Sequence, residues 1–317
     1  MQVFHSLSQL TELSLRSSVA IGNFDGVHQG HVALLRDMTA TARANGWAAT
    51  VLTFYPHPVE VLRPGTRLER LSTTNEKLKL LEALGVDLVL VETFSSELAQ
   101  LSPQEFFQRY LHSGLNAASI HVGFNFRFGK DRAGDVSTLE AMAKPFGIQL
   151  RVQAPFELDG VRVSSSLLRQ LVHHGDINKL NFYLGRPYLI SGQVAPGDQR
   201  GRDLGFPTAN LRYSHEKALP QNGVYVTRAL WQKQVFPAVT NIGIRPTFEV
   251  EAPLKPVIET HFIDFKAKLY DEFVQLEFLE KIREEKKFSS KQELISQIEK
   301  DVDYSRQYFS NAHPLGK

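Results

Sequence analysis

Ala20-Ile21-Gly22-Asn23-Phe24-Asp25-Gly26-Val27-His28-Gln29-Gly30-His31 runs from a predicted strand into the first turn of a predicted helix. Glycines at 22, 26 and 30 let the backbone come close to a ligand, while the N–H groups and positive dipole end of the helix favour an anion. His28 and His31 stand three residues apart, so on the first helical turn both imidazoles can face one phosphoryl group and stabilise charge developing on it. A bare His-x-x-His is more often incidental packing; the strand, glycines and helix start around this one point instead to phosphate and nucleotidyl transfer.

Outward from this stretch, β-rich runs alternate with helical patterns from Ser18 to about Ala154. The strand Ser18–Gly22 is followed by a helix over 31–44 closed by Asn45-Gly46, then a strand over 48–54, a helix over 75–84 and a strand over 87–91. A capping box at Ser102-Pro103-Gln104-Glu105 starts another helix, and a strand follows over 119–122. This order predicts a parallel sheet of α/β class, with the loops after Ile21, Phe54 and Val122 sharing one crevice at the carboxyl ends of the strands.

Each of those loops carries unusual residues. Thr53-Phe54-Tyr55-Pro56-His57-Pro58 and Gly123-Phe124-Asn125-Phe126-Arg127-Phe128-Gly129 offer aromatic faces for a flat ring and an amide, Asn125, to hydrogen-bond it, although half or more of those phenylalanines are expected in the core. Val163-Ser164-Ser165-Ser166-Leu167-Leu168-Arg169 sets hydroxyls and a cation at a helix start, suited to leaving phosphates. Neither a Gly-x-Gly-x-x-Gly fingerprint nor a P-loop occurs; Gly123–Lys130 has one spacer too many.

Beyond Leu184-Gly185-Arg186-Pro187 the pattern becomes β-runs over 188–194, 224–230, 236–240, 257–262 and 274–278, which predict an antiparallel barrel or sandwich. A second capping box, Ser290-Lys291-Gln292-Glu293, starts a final helix that sets Leu294, Ile298 and Val302 on one face. The expected division is 1–185 and 186–317. Gly197 to Asn210 is too rich in Gly and charge for a strand interior and reads as a nucleotide loop. In an extended segment, Thr208 and Asn210 fall on one side and can approach Mg²⁺ bridging ATP phosphates.

Composition narrows the function classes. Of 317 residues 42% are hydrophobic and 22% charged, as in ordinary globular proteins, and a net charge of +2 gives no field that implies nucleic acid or an anionic membrane. Cysteine is absent, which removes disulfides, thiolate metal sites and a cysteine nucleophile together. The first sixteen residues lack the pattern of a signal peptide, and no apolar run is long enough to span a bilayer, so a cytoplasmic location is expected. Small-molecule partners are expected, and homo-oligomerisation is left open.

The His-x-Gly-His stretch and the Ser164–Arg169 segment resemble the two signatures of the nucleotidyltransferase superfamily. Gly201-Arg202-Asp203-Leu204-Gly205-Phe206-Pro207-Thr208-Ala209-Asn210, with Gly223-Val224-Tyr225, Asn241 to Phe248 and Glu259-Thr260-His261, resembles riboflavin kinases. Together they resemble the bacterial bifunctional riboflavin kinase/FAD synthetase family across essentially the whole chain. That resemblance implies a Rossmann-like nucleotidyltransferase fold for the parallel-sheet domain and a small Greek-key barrel after it, ATP as co-substrate, Mg²⁺, and riboflavin, FMN and FAD as substrates or products.

By position it implies ATP binding in the adenylyltransferase by Gly22, Asn23, Phe24, Asp25, Gly26, His28, His31, Ser164, Ser165, Ser166 and Arg169, with flavin or nucleotide contacts from Pro56, His57, Asn125, Arg127 and Phe128. In the kinase it implies ATP contacts from Gly201, Gly205, Pro207, Thr208 and Asn210, Glu259 as the base, and Arg283 against flavin. Leu167 stands where the family commonly has Arg, and Asp271 where it has Gly. Two rival readings are an adenylyltransferase for another phosphate acceptor and a non-catalytic flavin carrier.

Overall fold

A computed structural model describes residues 1–10, 16–196, 201, 204–244 and 256–311. It divides into two compact units, Met1–Ser165 and Ser166–Lys317.

The first unit is built on a parallel sheet of β1 (Gln2–Phe4), β2 (Ser17–Ile21), β3 (Ala48–Tyr55), β4 (Leu88–Thr93), β5 (Ala117–Gly123) and β6 (Gln149–Gln153), in the order β1-β4-β3-β2-β5-β6. Every residue of the central β2 is buried. Val19 and Ile21 enter one core, with Phe106, Phe107, Tyr110 and Leu111. Ala20 enters the other, with Leu34, Leu35 and Met38 of α1 (Gln29–Asn45). A sheet covered on both faces forces near-continuous apolar strands, as observed. Gly46 ends α1 in the left-handed conformation, φ 66°.

Two short helices complete the framework near the crevice, α2 (Pro58–Leu62) and α3 (Thr74–Ala83). The box at Ser102 forms as expected: its hydroxyl accepts the Glu105 N–H and Glu105 accepts the Ser102 N–H. The helix it starts, Pro103–Phe106, continues as a π-helix over Phe107–Gly114. A two-stranded ribbon, β7 (Glu157–Leu158) with β8 (Val161–Arg162), precedes Ser164.

In the second unit the alternatives resolve into a closed antiparallel barrel. Its strands are β9 (Tyr188–Ala195), β10 (Ala209–Tyr213), β11 (Gly223–Trp231), β12 (Gln234–Ile244), β13 (Pro256–Phe262) and β14 (Phe273–Arg283), ordered β10-β13-β12-β11-β14-β9. The helix Ile177–Leu184 is pinned to the barrel by Asn181, whose amide donates to the Phe278 carbonyl and accepts the Tyr188 N–H, both at 2.8 Å. The terminal helix Lys291–Asn311 packs Ile298 and Val302 with Val224, Val239 and Ile263. Its capping box is only half made. Glu293 N–H donates to Ser290 Oγ, but the Glu293 carboxylate accepts from Ser289, one residue earlier than expected.

Candidate active sites

The turn from β2 into α1 is held in an unusual shape, with Phe24 at φ 48° and Val27 at φ 40°. His28 is the N-cap: its Nδ1 accepts the His31 N–H at 3.3 Å. The two imidazoles stack with centroids 3.6 Å apart, and the Phe24 ring meets His31 edge-on. A Cβ at Gly30 would lie 3.3 Å from the His28 ring and 3.1 Å from Phe156, so the glycine between the histidines makes room for the stack.

Asp25 does not face outward. Buried at 7% exposure, it accepts the N–H groups of Leu71 and Ser72 through Oδ1, while Ser72 Oγ accepts the Gly26 N–H. Ser165 Oγ donates to the Asp25 carbonyl at 2.9 Å, which joins the start of the serine segment to the histidine turn.

Gly22, Asn23, Phe24, His28, His31, Asn125, Arg127, Phe128, Ser164 and Ser165 line one cleft of about 760 Å³, as do Phe54 and Phe126. The shared crevice expected from the three loops is therefore present. His57 acts from behind it: it caps α2, its Nδ1 accepts the Val59 N–H, and its Nε2 lies 2.9 Å from the Asn23 amide. Pro56, preceded by a cis peptide bond, lies beside it. Phe128 stacks on Phe126 but is itself core, against Phe106. Arg127 pairs with Asp135 at 3.1 Å. Ser166, Leu167 and Arg169 fall in the second compact unit.

The structure adds groups that carry little signal in the sequence. Arg162 lays its guanidinium over the Phe124 ring at 4.6 Å. Lys77, buried in the first turns of α3, donates to the Asn23 carbonyl at 3.2 Å and to Thr53 Oγ1 at 3.0 Å. Helical periodicity places such a lysine on a helix face but cannot show what that face covers.

In the barrel, Asn210 of β10 and Asn241 of β12 are both register partners of Glu259 on β13. The three therefore form one cross-strand row. Ile258, Thr260 and Phe262 are buried while Glu259 and His261 are half-buried, which sets Glu259 on the outer face. The segment before Thr208 is tightly turned: Phe206 N–H donates to the Gly201 carbonyl, and a Cβ on Gly201 would lie 2.4 Å from the Phe206 carbonyl oxygen. Gly205, Phe206, Pro207 and His261 line a cavity of about 480 Å³. His261 Nδ1–H donates to the Pro207 carbonyl at 2.9 Å, and burial lowers its pKa.

Arg283 is clasped by Asp301, with contacts of 2.8 to 3.1 Å, and donates to the Glu284 carbonyl. Asp271, at φ 63°, takes the left-handed turn conformation for which glycine was expected. The rest of the predicted loop, 197–200 and 202–203, and the Arg245–Phe248 motif lie outside the described residues.

A parallel sheet ending in a histidine-bearing turn, joined to a closed barrel with a Thr-x-Asn segment beside a strand carboxylate, defines a nucleotidyltransferase-like unit fused to a β-barrel unit. A family model described as FAD synthetase matches residues 11–167, and one described as riboflavin kinase matches 184–309. The chain belongs to the bifunctional riboflavin kinase/FMN adenylyltransferase family, as its motifs implied.

Relatives of that name from Bacillus subtilis and Escherichia coli K12 are each 36% identical, covering 98% of this chain and 98% and 97% of theirs; one from Haemophilus influenzae is 35% identical, covering 98% of this chain and all of its own. The crystal structure of a macrolide-efflux protein from Streptococcus pneumoniae is also similar, with a TM-score of 0.87 and 30% identity over 96% of this chain and 98% of that one. Among the described residues no helix is long and apolar enough to cross a membrane.

Proposed function

We propose that the barrel transfers the terminal phosphoryl group of ATP to the ribityl 5′-hydroxyl of riboflavin, and that the sheet unit joins the resulting FMN to AMP from a second ATP, releasing pyrophosphate. The division of labour is taken at 185/186, and the setting is cytoplasmic. The single observation that carries the adenylyl half is the stacked His28–His31 pair at the N-terminus of α1, lining an aromatic-walled cleft.

A phosphate oxygen of FMN attacks the α-phosphorus, and the bond to the bridging oxygen of pyrophosphate breaks. With Nδ1 accepting a backbone N–H, neutral His28 carries its proton on Nε2 and offers a donor to phosphate oxygen. His31, the turn glycines and the helix dipole add to this stabilisation. Ser164, Ser165, Ser166 and Arg169 hold the departing pyrophosphate. Asn125 and Arg127 orient the flavin nucleotide beside Phe128, with Pro56 and His57 shaping that wall. Asp25 and Gly26 serve the ATP site by fixing the turn.

In the barrel, Glu259 takes the proton of the 5′-hydroxyl as that oxygen attacks the γ-phosphorus, and ADP leaves. Gly201, Gly205 and Pro207 shape the loop over ATP, whose base occupies the cavity beside His261. The Thr208 hydroxyl and Asn210 amide oxygen, with Glu259 in register beside Asn210, form an all-oxygen donor set. Such a set fits a hard divalent cation that keeps most of its waters. Thr208 and Asn210 would hold Mg²⁺, which when bound neutralises phosphate charge. Arg283 sets the terminal helix against the flavin side of the barrel through Asp301.

The test is to incubate the chain with riboflavin, ATP and Mg²⁺ and separate the flavins over time. FMN followed by FAD is expected. FMN alone would remove the adenylyl half of the reading, and FAD formed only from supplied FMN would remove the kinase half.

A further inference from the structure

The turn that receives phosphate in this reading is strained. Phe24 and Val27 both sit at positive φ, and for a β-branched residue such as Val27 that is a genuine outlier. Conformations of this kind are costly and persist only where the surroundings fix them. Here the fixing groups converge from the start of α3. Ser72 Oγ accepts the Gly26 N–H, the Leu71 and Ser72 N–H groups bind the Asp25 carboxylate, and Lys77 donates to the Asn23 carbonyl and to Thr53 of β3.

Lys77 is the costly member of that set. It is 8% exposed, and a buried ammonium is expensive unless its bonds repay the lost hydration. Burial pulls its pKa down to about 8, with Asp25 opposing the fall and Arg70 adding to it. A methionine would fill much the same space without this penalty, so packing alone gives no reason for a charge at this place.

We infer that Lys77 is a positioning residue of the adenylyl-transfer site, whose ammonium holds the Asn23 carbonyl and so fixes the turn in the shape that receives the phosphates of ATP. The inference rests on the reading of that turn as an ATP site. Asn23 links the pieces: its carbonyl is held by Lys77, its side chain contacts His57, and it lines the cleft. Lys77 also sets a fixed positive group below an anion site, where it draws phosphate without touching it.

The experiment uses the full chain, whose two activities give an internal control. Lys77→Met is assayed for FMN-to-FAD conversion across ATP concentrations and for riboflavin phosphorylation in the same preparation. The expected result is a KM for ATP raised about tenfold or more and a reduced kcat, with riboflavin phosphorylation within about twofold of wild type. Lys77→Arg, which keeps the charge, should recover most of the ATP affinity.

A Lys77→Met protein with wild-type kcat and KM for ATP overturns the inference. So does one with a smaller active fraction but an unchanged KM for ATP, the mark of a lysine that only stabilises the fold. Where Lys77→Met yields too little folded protein, Lys77→Gln is read by the same outcomes. Failure of the wild type to make FAD from FMN would instead overturn the proposed adenylyl transfer, so the two failures are distinct.

Discussion

The ring of His28 caps the helix that carries His31: Nδ1 of the first accepts the N–H of the second at 3.3 Å, and the rings stack at 3.6 Å. One side chain thus combines a structural task with the chemical one proposed for it, and substitution can separate them. His28→Asn keeps an N-cap, since Asn is among the best caps, but removes the imidazole; His28→Ala removes both. Both variants should lose about 10²–10³-fold in FAD formation, by analogy with loss of one donor to a developing anion. Only His28→Ala should also lose about 1 kcal/mol of stability. The check is FAD production by chromatography beside urea unfolding followed through Trp47 fluorescence in a Trp231→Phe background. Normal FAD formation by His28→Asn would remove the imidazole from the chemistry.

Glu259 is addressed by the complementary assay. Glu259→Gln keeps the shape of the side chain between Asn210 and Asn241 and removes the proposed base. Riboflavin phosphorylation should fall by about 10²–10⁴-fold while FMN-to-FAD conversion stays unchanged. Retention of most kinase activity would assign the proton to another acceptor.

How far the sequence carried this picture depended on whether a signal was local. Strand-to-helix alternation, the box at Ser102 and the Gly46 stop were legible because each depends on residues within one turn. The edge strands β1 and β6 were not, because three residues, or a strand with mostly exposed side chains, leave little pattern. His28 and His31 are legible as a pair, whereas the backbone N–H groups that the Asp25 and His57 side chains accept are invisible in the motifs that contain them. A polar residue in a site motif has two possible clients, ligand and backbone, and sequence alone does not tell them apart. Lys77 lay beyond reach because Asn23 and Lys77 meet only through the tertiary fold.

The clasp between Arg283 and Asp301 joins β14 to the terminal helix, and its partners differ in exposure: the Asp301 side chain is 4% exposed and that of Arg283 20%. Removing one member of a buried pair leaves the other charge uncompensated, at about 3–5 kcal/mol. Because Arg283 keeps some access to water, Asp301→Ala should fall at the lower end, about 3 kcal/mol. Urea unfolding read through Trp231, in a Trp47→Phe background, reports the barrel. An unchanged midpoint would mean that the helix is held by its apolar contacts and its other polar contacts, such as Tyr304 to Glu280, without this pair.

A hydrogen-bonded relay within the first unit, linking β2, β5 and α1, should make its stability depend on pH. Ser119 Oγ donates to Ser18 Oγ at 2.7 Å, Ser18 Oγ lies 3.0 Å from His121 Nε2, and His121 Nδ1 lies 3.0 Å from Asp37 on α1. The order of groups is that of a hydrolase triad, but both serines are fully buried, so no substrate reaches them. With Nδ1–H directed at Asp37, Nε2 of the neutral ring can accept from the serine pair, which a charged ring cannot do. Burial lowers the His121 pKa, Asp37 opposes the shift and Arg151 adds to it. A histidine with a lowered folded pKa binds fewer protons folded than unfolded, so stability is full above the unfolded value of about 6.5 and falls as pH drops below it. The slope from this one group is at most about 1.4 kcal/mol per pH unit, and it ends below the folded pKa. Unfolding read through Trp47 in a Trp231→Phe background should therefore show a loss from pH 7 to pH 5 that His121→Gln reduces, although His121→Gln starts less stable. Equal slopes in the two proteins would show that His121 is not the group being titrated.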